Sequence, residues 1–167
     1  KNSLNCEIEV IGDSKPIGIC GSGLIDLISE MFLTGVVDRR GKFEKSIGNR
    51  HLKYVDDEYR YIVSYGKNNA SGEDIFISEV DLENLVRAKS AVYAGIKTLL
   101  EEVGLEIEDI DKIYIAGGLG KNINIKSAII IGMFPDINLT RYHFLGNTSI
   151  IGSYLSLLSE DRFKMSE

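Results

Sequence analysis

Three stretches of this chain place glycines where a main chain could meet a ligand. They are Cys20-Gly21-Ser22-Gly23, Gly117-Gly118-Leu119-Gly120 and Gly146-Asn147-Thr148-Ser149, and each precedes an apolar run with helical spacing. A glycine turn removes side chains where the backbone bends, so a flat or anionic group can approach the main chain closely. The N–H groups of a helix start add a partial positive charge that favours phosphate. The middle stretch is the most informative. The apolar strand Lys112-Ile113-Tyr114-Ile115-Ala116 runs straight into its Gly-Gly turn, and Lys121-Asn122 follow. Ligands of open α/β sheets sit outside the carboxyl ends of strands, near helix N-termini. Three such starts converging on one crevice would make a nucleotide pocket, although each alone is also common as plain structure.

Other chemistries lack their residues. No Gly-Lys-Ser/Thr ending is present for a Walker A loop, and Gly117–Gly120 is not a full dinucleotide fingerprint. No His/Cys spacing suits a metal, so no metal ligands are assigned, and no serine has an oriented base. His51 and His143 stand far apart in sequence and are expected to be ordinary surface or turn residues. Cys6 and Cys20 are the only cysteines, too few for an iron–sulfur cluster. Cys20 precedes a helix start, which would lower its thiol pKa; the favoured expectation is a buried small hydrophobe in a reducing cytosol.

The composition suits a folded domain. The 167 residues are 44% hydrophobic and 26% charged, enough to bury a core in one domain or two small lobes. A net charge of -6 opposes binding to nucleic acid. No apolar run reaches bilayer length and no signal peptide is visible, so the expected setting is cytoplasmic, with no membrane contact. The chain starts at Lys1 without Met, as a fragment or processed form would.

The elements that must hold the glycine turns follow from periodicity. Asn5–Ile11 alternates loosely and reads as an edge strand. A helix from about Ser22 carries Leu24, Ile25, Leu27, Ile28, Met31 and Phe32, and Gly35 ends it. A short extension is expected around Phe43. Tyr59–Tyr65 and Asp74–Ile77 read as a hairpin, part of a small insertion at about 54–77, with a loop at Gly66–Gly72 that its composition makes flexible. Ser78-Glu79-Val80-Asp81 opens the longest helix, about Val80 to Val103, which Gly104 closes. Then come the strand Lys112–Ala116, a short helix at about 125–131, a break at Pro135-Asp136, a strand near Tyr142–Leu145 and a last helix through Leu158.

Five segments stand in a specific order. They are Ile19-Cys20-Gly21-Ser22-Gly23-Leu24-Ile25-Asp26, Arg87-Ala88-Lys89, Ile113–Gly120, Ile131-Gly132-Met133-Phe134-Pro135-Asp136 and Leu145–Ser149. That order resembles the C-terminal part of the reductive activators of corrinoid proteins, from about Glu7 to Ser159. These are ATP-dependent proteins with an actin-like, sugar-kinase-like, heat-shock-chaperone-like fold. The resemblance implies an α/β class: one actin-like, ribonuclease H-like lobe, a mixed sheet flanked by helices with a small hairpin insertion, part of a larger protein. It also implies site roles. Gly117, Gly118, Leu119 and Gly120, with Asn122 closing the stretch, would pack on base and ribose. Gly21, Ser22 and Gly23 would open the helix over ribose and phosphates. Asp26 would face a ribose hydroxyl, or solvent. Lys89 would line the adenine pocket, or be a solvated helix lysine. Gly146, Asn147 and Thr148 would close the rim, or cap a helix.

The departures bound what this chain can do. Neither phosphate loop of the actin-like ATPases, with its acidic residue near Mg²⁺, is recognisable, and the family's ferredoxin-like iron–sulfur domain is absent. The expectation is therefore the adenosine half of a site for ATP with Mg²⁺. Catalytic residues are unassigned, and the iron–sulfur cluster belongs to a missing N-terminal part. The expected role is coupling ATP to reduction of Co(II) to Co(I) in a corrinoid protein, with a homodimer as a further expectation. Two alternatives stay open: a scaffold, dimerisation or docking lobe with a vestigial pocket, and a lobe of a sugar or acid kinase.

Overall fold

The computed structural model describes residues 6–118 and 120–158. Among them the chain forms an α/β fold with two sheets flanked by helices. Helix α1 spans Gly21–Leu33. Its apolar stripe buries Ile25, Ile28 and Met31, and Gly35, at φ 73°, turns the chain after it. A bridge between Val37 and Phe43 follows. It closes a turn in which the Asp38 carboxylate accepts the N–H groups of Arg40 and Lys42, both at 2.8 Å.

Strands β1 (Leu52–Val55), β2 (Glu58–Ser64) and β3 (Ile75–Ser78) make an antiparallel sheet in that order. The expected two-strand hairpin thus has a third strand, β1, at its edge. Asp56 and Asp57 join β1 to β2 with φ of 52° and 61°, the positive-φ pair that matches strand twist in a two-residue turn. The Gly66–Gly72 loop is more ordered than its composition suggests. Asn69, 3% exposed, donates to the carbonyls of Ser64 (3.1 Å) and Glu73 (2.7 Å) and accepts the Ser64 hydroxyl at 2.6 Å. Three buried or part-buried groups converge on one amide, so the loop has one shape.

Helix α2 (Glu79–Glu102) starts at a capping box. The Ser78 hydroxyl accepts from Asp81 N–H at 3.2 Å, and the Asp81 carboxylate accepts Ser78 N–H at 2.9 Å. Leu82 anchors the helix in a core shared by α1, the antiparallel sheet and helix α3 (Ile125–Ile130). Strands β4 (Ile113–Ala116) and β5 (Tyr142–Gly146) form a separate parallel pair. The Tyr142 hydroxyl donates to Pro135 carbonyl at 2.6 Å, and Arg141 donates to Ile110 carbonyl at 2.6 Å, so both sides of the crossover are tied. Helix α4 (Thr148–Leu158) buries no residue.

Four expectations fail here. Cys6–Val10 forms no strand; the alternation has no described neighbour to pair with. His51 is no surface residue, at 8% exposure, because its ring stacks on Tyr61 and Nδ1 lies 2.9 Å from Ile62 carbonyl. His143 is a part-buried residue inside β5 rather than in a turn. Cys20 is exposed, not buried, because it is the N-cap of α1.

Candidate functional site

The parallel pair positions two of the three glycine turns. β4 and β5 end side by side, and a register slip after Ile115 sets Ala116 opposite Gly146. The Gly117 N–H then donates to Gly146 carbonyl at 2.8 Å. Gly117 (φ 102°) and Gly146 (φ 71°) both occupy the left-handed region that side chains resist. Nothing lies within 4 Å of where a Cβ would stand at either position. A Cβ on Gly118 would meet Asn147 Nδ2 at 3.9 Å, so the two turns share one rim. Asn147 Oδ1 accepts Ile150 N–H at 3.3 Å and so starts α4, with exposed Thr148 beside it.

The neighbours of that rim have structural duties. Gly120 is buried, and a Cβ there would stand 2.7 Å from Ile115 Cγ2, so the turn needs glycine to fold back on β4. Asn122 is exposed in the short 3-10 turn that follows. Leu119 lies outside the described residues. The Gly-Gly turn does not open a helix directly, because Asn124 caps α3 two residues beyond that 3-10 turn.

The third turn opens α1. Gly23 N–H and the Ser22 hydroxyl each lie 3.4 Å from Cys20 Sγ. The Ser22 hydroxyl first, and the Gly23 N–H second, hold the exposed Cys20 thiol below its ordinary pKa. Gly21 is exposed at the helix start. One turn on, part-buried Asp26 carries a buried Oδ1 without a hydrogen-bond partner. Lys89 is part-buried on α2 and donates to Ile131 carbonyl, at the end of α3, at 2.5 Å. Among the described residues no hydrogen bond or ion pair joins Gly21, Ser22, Gly23, Asp26 or Lys89 to the Gly117–Gly146 rim.

At the rim, two left-handed glycines leave bare main chain with open space above it, which a flat group could approach. Among the described residues no group of three or more acidic, His or Cys side chains could hold a metal. Sequence reasoning also missed a cleft between α1, α2 and the end of α3, with Lys89 in its wall. Its lining is scattered from Ile28 to Gly132, so no local pattern marks it.

The parallel pair with its glycine rim, beside a small antiparallel sheet and helices, defines an actin-like lobe of the ASKHA type. A family model described as the C-terminal domain of RACo, the ASKHA domain, matches residues 1–167, and the chain belongs to that family. Corrinoid activation enzyme RamQ of Eubacterium limosum is 35% identical over 160 residues, covering 91% of this chain and 27% of RamQ. A [Co(II) methylated amine-specific corrinoid protein] reductase of Methanosarcina barkeri is 26% identical over 134 residues, covering 80% of this chain and 21% of the reductase. The solved structure of a reductive activator for corrinoid, iron–sulfur protein superposes with a TM-score of 0.87 at 39% identity, over 94% of this chain and 25% of that one. The chain therefore spans about a quarter of the length of the relatives it matches. Among the described residues no helix is long and apolar enough to cross a membrane.

Proposed function

We propose that this chain is the adenosine-side part of an ATP-dependent reductive activator, cytoplasmic in setting, whose partner is a corrinoid protein. The Gly117 N–H to Gly146 carbonyl bond carries the reading, because it sets two bare glycine turns edge to edge at the carboxyl ends of parallel strands. The relatives' names supply the corrinoid chemistry. One electron from an iron–sulfur donor elsewhere in the protein converts Co(II) to Co(I), an uphill transfer for ordinary donors. Nucleotide contributes by binding one lobe arrangement better than another. Reversing a 1:99 population takes a differential affinity of about 10⁴-fold, roughly 5.5 kcal/mol. This chain's part is to seat base and ribose against main chain; the phosphate and Mg²⁺ contacts come from the rest of the protein.

Nucleotide titration of the full-length protein tests this. ATP should bind the wild type, and Gly118→Val, which fills the open rim, should weaken it by about tenfold or more, the cost of one misplaced contact of roughly 1.4 kcal/mol. Unchanged affinity in the variant would remove the rim from the site. No binding by the wild type, with or without Mg²⁺, would end the reading altogether.

One observation favours a second reading, a docking or dimerisation lobe. α4 exposes Ile150, Tyr154 and Leu157, the last at 86%, and Tyr114 and Phe144 of the parallel pair are exposed as well. A helix apolar on so many sides is ordinarily covered. Sedimentation velocity of the full-length protein with Ile150→Asp and Leu157→Asp separates the readings: unchanged mass and unchanged corrinoid-protein binding would set this one aside.

A further inference from the structure

We propose that the cleft between α1, α2 and the end of α3 is a second binding site, for a small amphipathic anion: a flat or branched apolar body with one acidic group. The cleft holds about 250 Å³, the size of a ligand smaller than a typical drug. Its walls are apolar, with Ile28 and Phe32 from α1, Val86 from α2 and Ile131 after α3. It shares no lining residue with the Gly117–Gly146 rim, but it contains Lys89, which the family resemblance assigns to the adenine pocket, and the ATP arm of the test below separates the two.

Charge decides the occupant. The part-buried ammonium of Lys89 enters this apolar surround, and its described partner is a neutral carbonyl, that of Ile131. Arg39 stands at the mouth, exposed. Among the described residues neither cation lies within ion-pair distance of a carboxylate. Asp38 also lines the cleft, but its Oδ1 is occupied by the Arg40 and Lys42 N–H groups of its own turn. Two cations outnumber the one carboxylate, Asp38, in the lining, and beside apolar walls they complement an anion with an apolar body, because a charge partly withdrawn from water gains most from an ionic hydrogen bond. Backbone geometry leaves room for it: Gly132, at φ 74°, adjoins the ammonium without a side chain, and a Cβ there would stand 3.7 Å from Nζ.

Benzoate is the probe and benzamide its uncharged counterpart. Both are titrated into the intact protein, with methyl resonances of Ile28, Val86 and Ile131 as the readout. Benzoate should give saturable shifts at these methyls and bind about threefold to fivefold tighter than benzamide, the range of a partly exposed ion pair. Lys89→Met should erase that preference. Arg39→Gln, on the exposed rim, should halve it without disturbing the fold. Saturating ATP should leave the benzoate shifts in place. The proposal is overturned by the absence of saturable shifts at these methyls, by equal affinity for the two probes, or by a preference that survives in a folded Lys89→Met protein. Displacement of benzoate by ATP would overturn it too, since the cleft would then be part of the nucleotide site.

Discussion

Replacing Asn69 should show how much of the insertion hangs on one amide. In Asn69→Ala the Ser64 hydroxyl loses its acceptor and the carbonyls of Ser64 and Glu73 lose their donor. A buried polar group left unpaired costs about 1–3 kcal/mol, less where water can reach it. The Ser64 groups are buried, while the contact to Glu73 is only part-buried. A total near 3 kcal/mol follows, a melting-temperature drop of roughly 6–12 °C for a domain of this size. Asn69→Asp sharpens the test. The carboxylate still accepts the Ser64 hydroxyl but turns a negative oxygen toward two carbonyls, so Asp should be worse than Ala at neutral pH. Urea denaturation followed by circular dichroism gives the order: wild type, Ala, Asp. An Asp variant as stable as wild type, or an Ala variant within about 1 kcal/mol of it, would refute the assignment of the loop's order to this amide.

Three more outcomes follow from described geometry. Burial, helped by nearby Asp136, pushes the Tyr142 phenol up to about 12. Because the folded value exceeds the ordinary one, near 10, its contribution should be complete below about pH 10 and disappear between roughly pH 10 and 12. Alkaline unfolding should show that loss, and Tyr142→Phe, which leaves the Pro135 carbonyl with only the Ile137 N–H at 3.1 Å, should cost about 1 kcal/mol. Cys20 should alkylate at lower pH than Cys6, whose thiol burial raises; mass-resolved iodoacetamide rates check this, and Ser22→Ala should slow Cys20. Asp57→Gly should raise stability by about 0.5–1 kcal/mol, since φ 61° strains an aspartate more than a glycine, as a melting scan would show.

Local signals carried far in this sequence. The Ser78 cap, the apolar stripe of α1 and the glycines that end helices all found their elements, because each acts within one or two turns of chain. Signals that depend on distant partners did not. Polar spacing marks His51 and Asn69 as surface residues, yet a cross-strand carbonyl and a loop carbonyl make their burial affordable. Cys20 failed the other way: its sulfur caps a helix, a duty its hydrophobicity does not suggest. At the site, two glycine turns meet because β4 and β5 are paired, which no local motif encodes. The position of Lys89 was equally hidden, since its partner lies 42 residues away.

The three-stranded sheet has a consequence for timing. All its strand pairs join residues within 52–78, through a two-residue turn and a loop held by its own Asn69. Closing loops this short costs little entropy. The β4–β5 pair must instead bring residue 113 to residue 142 across a helix and two short turns. Contacts between near neighbours form sooner than contacts across long loops. The antiparallel sheet is therefore expected to acquire exchange protection first during refolding, and the two glycine turns to meet last. Pulsed hydrogen exchange would show this as early protection at Tyr61 and Ile62 and late protection at Gly117.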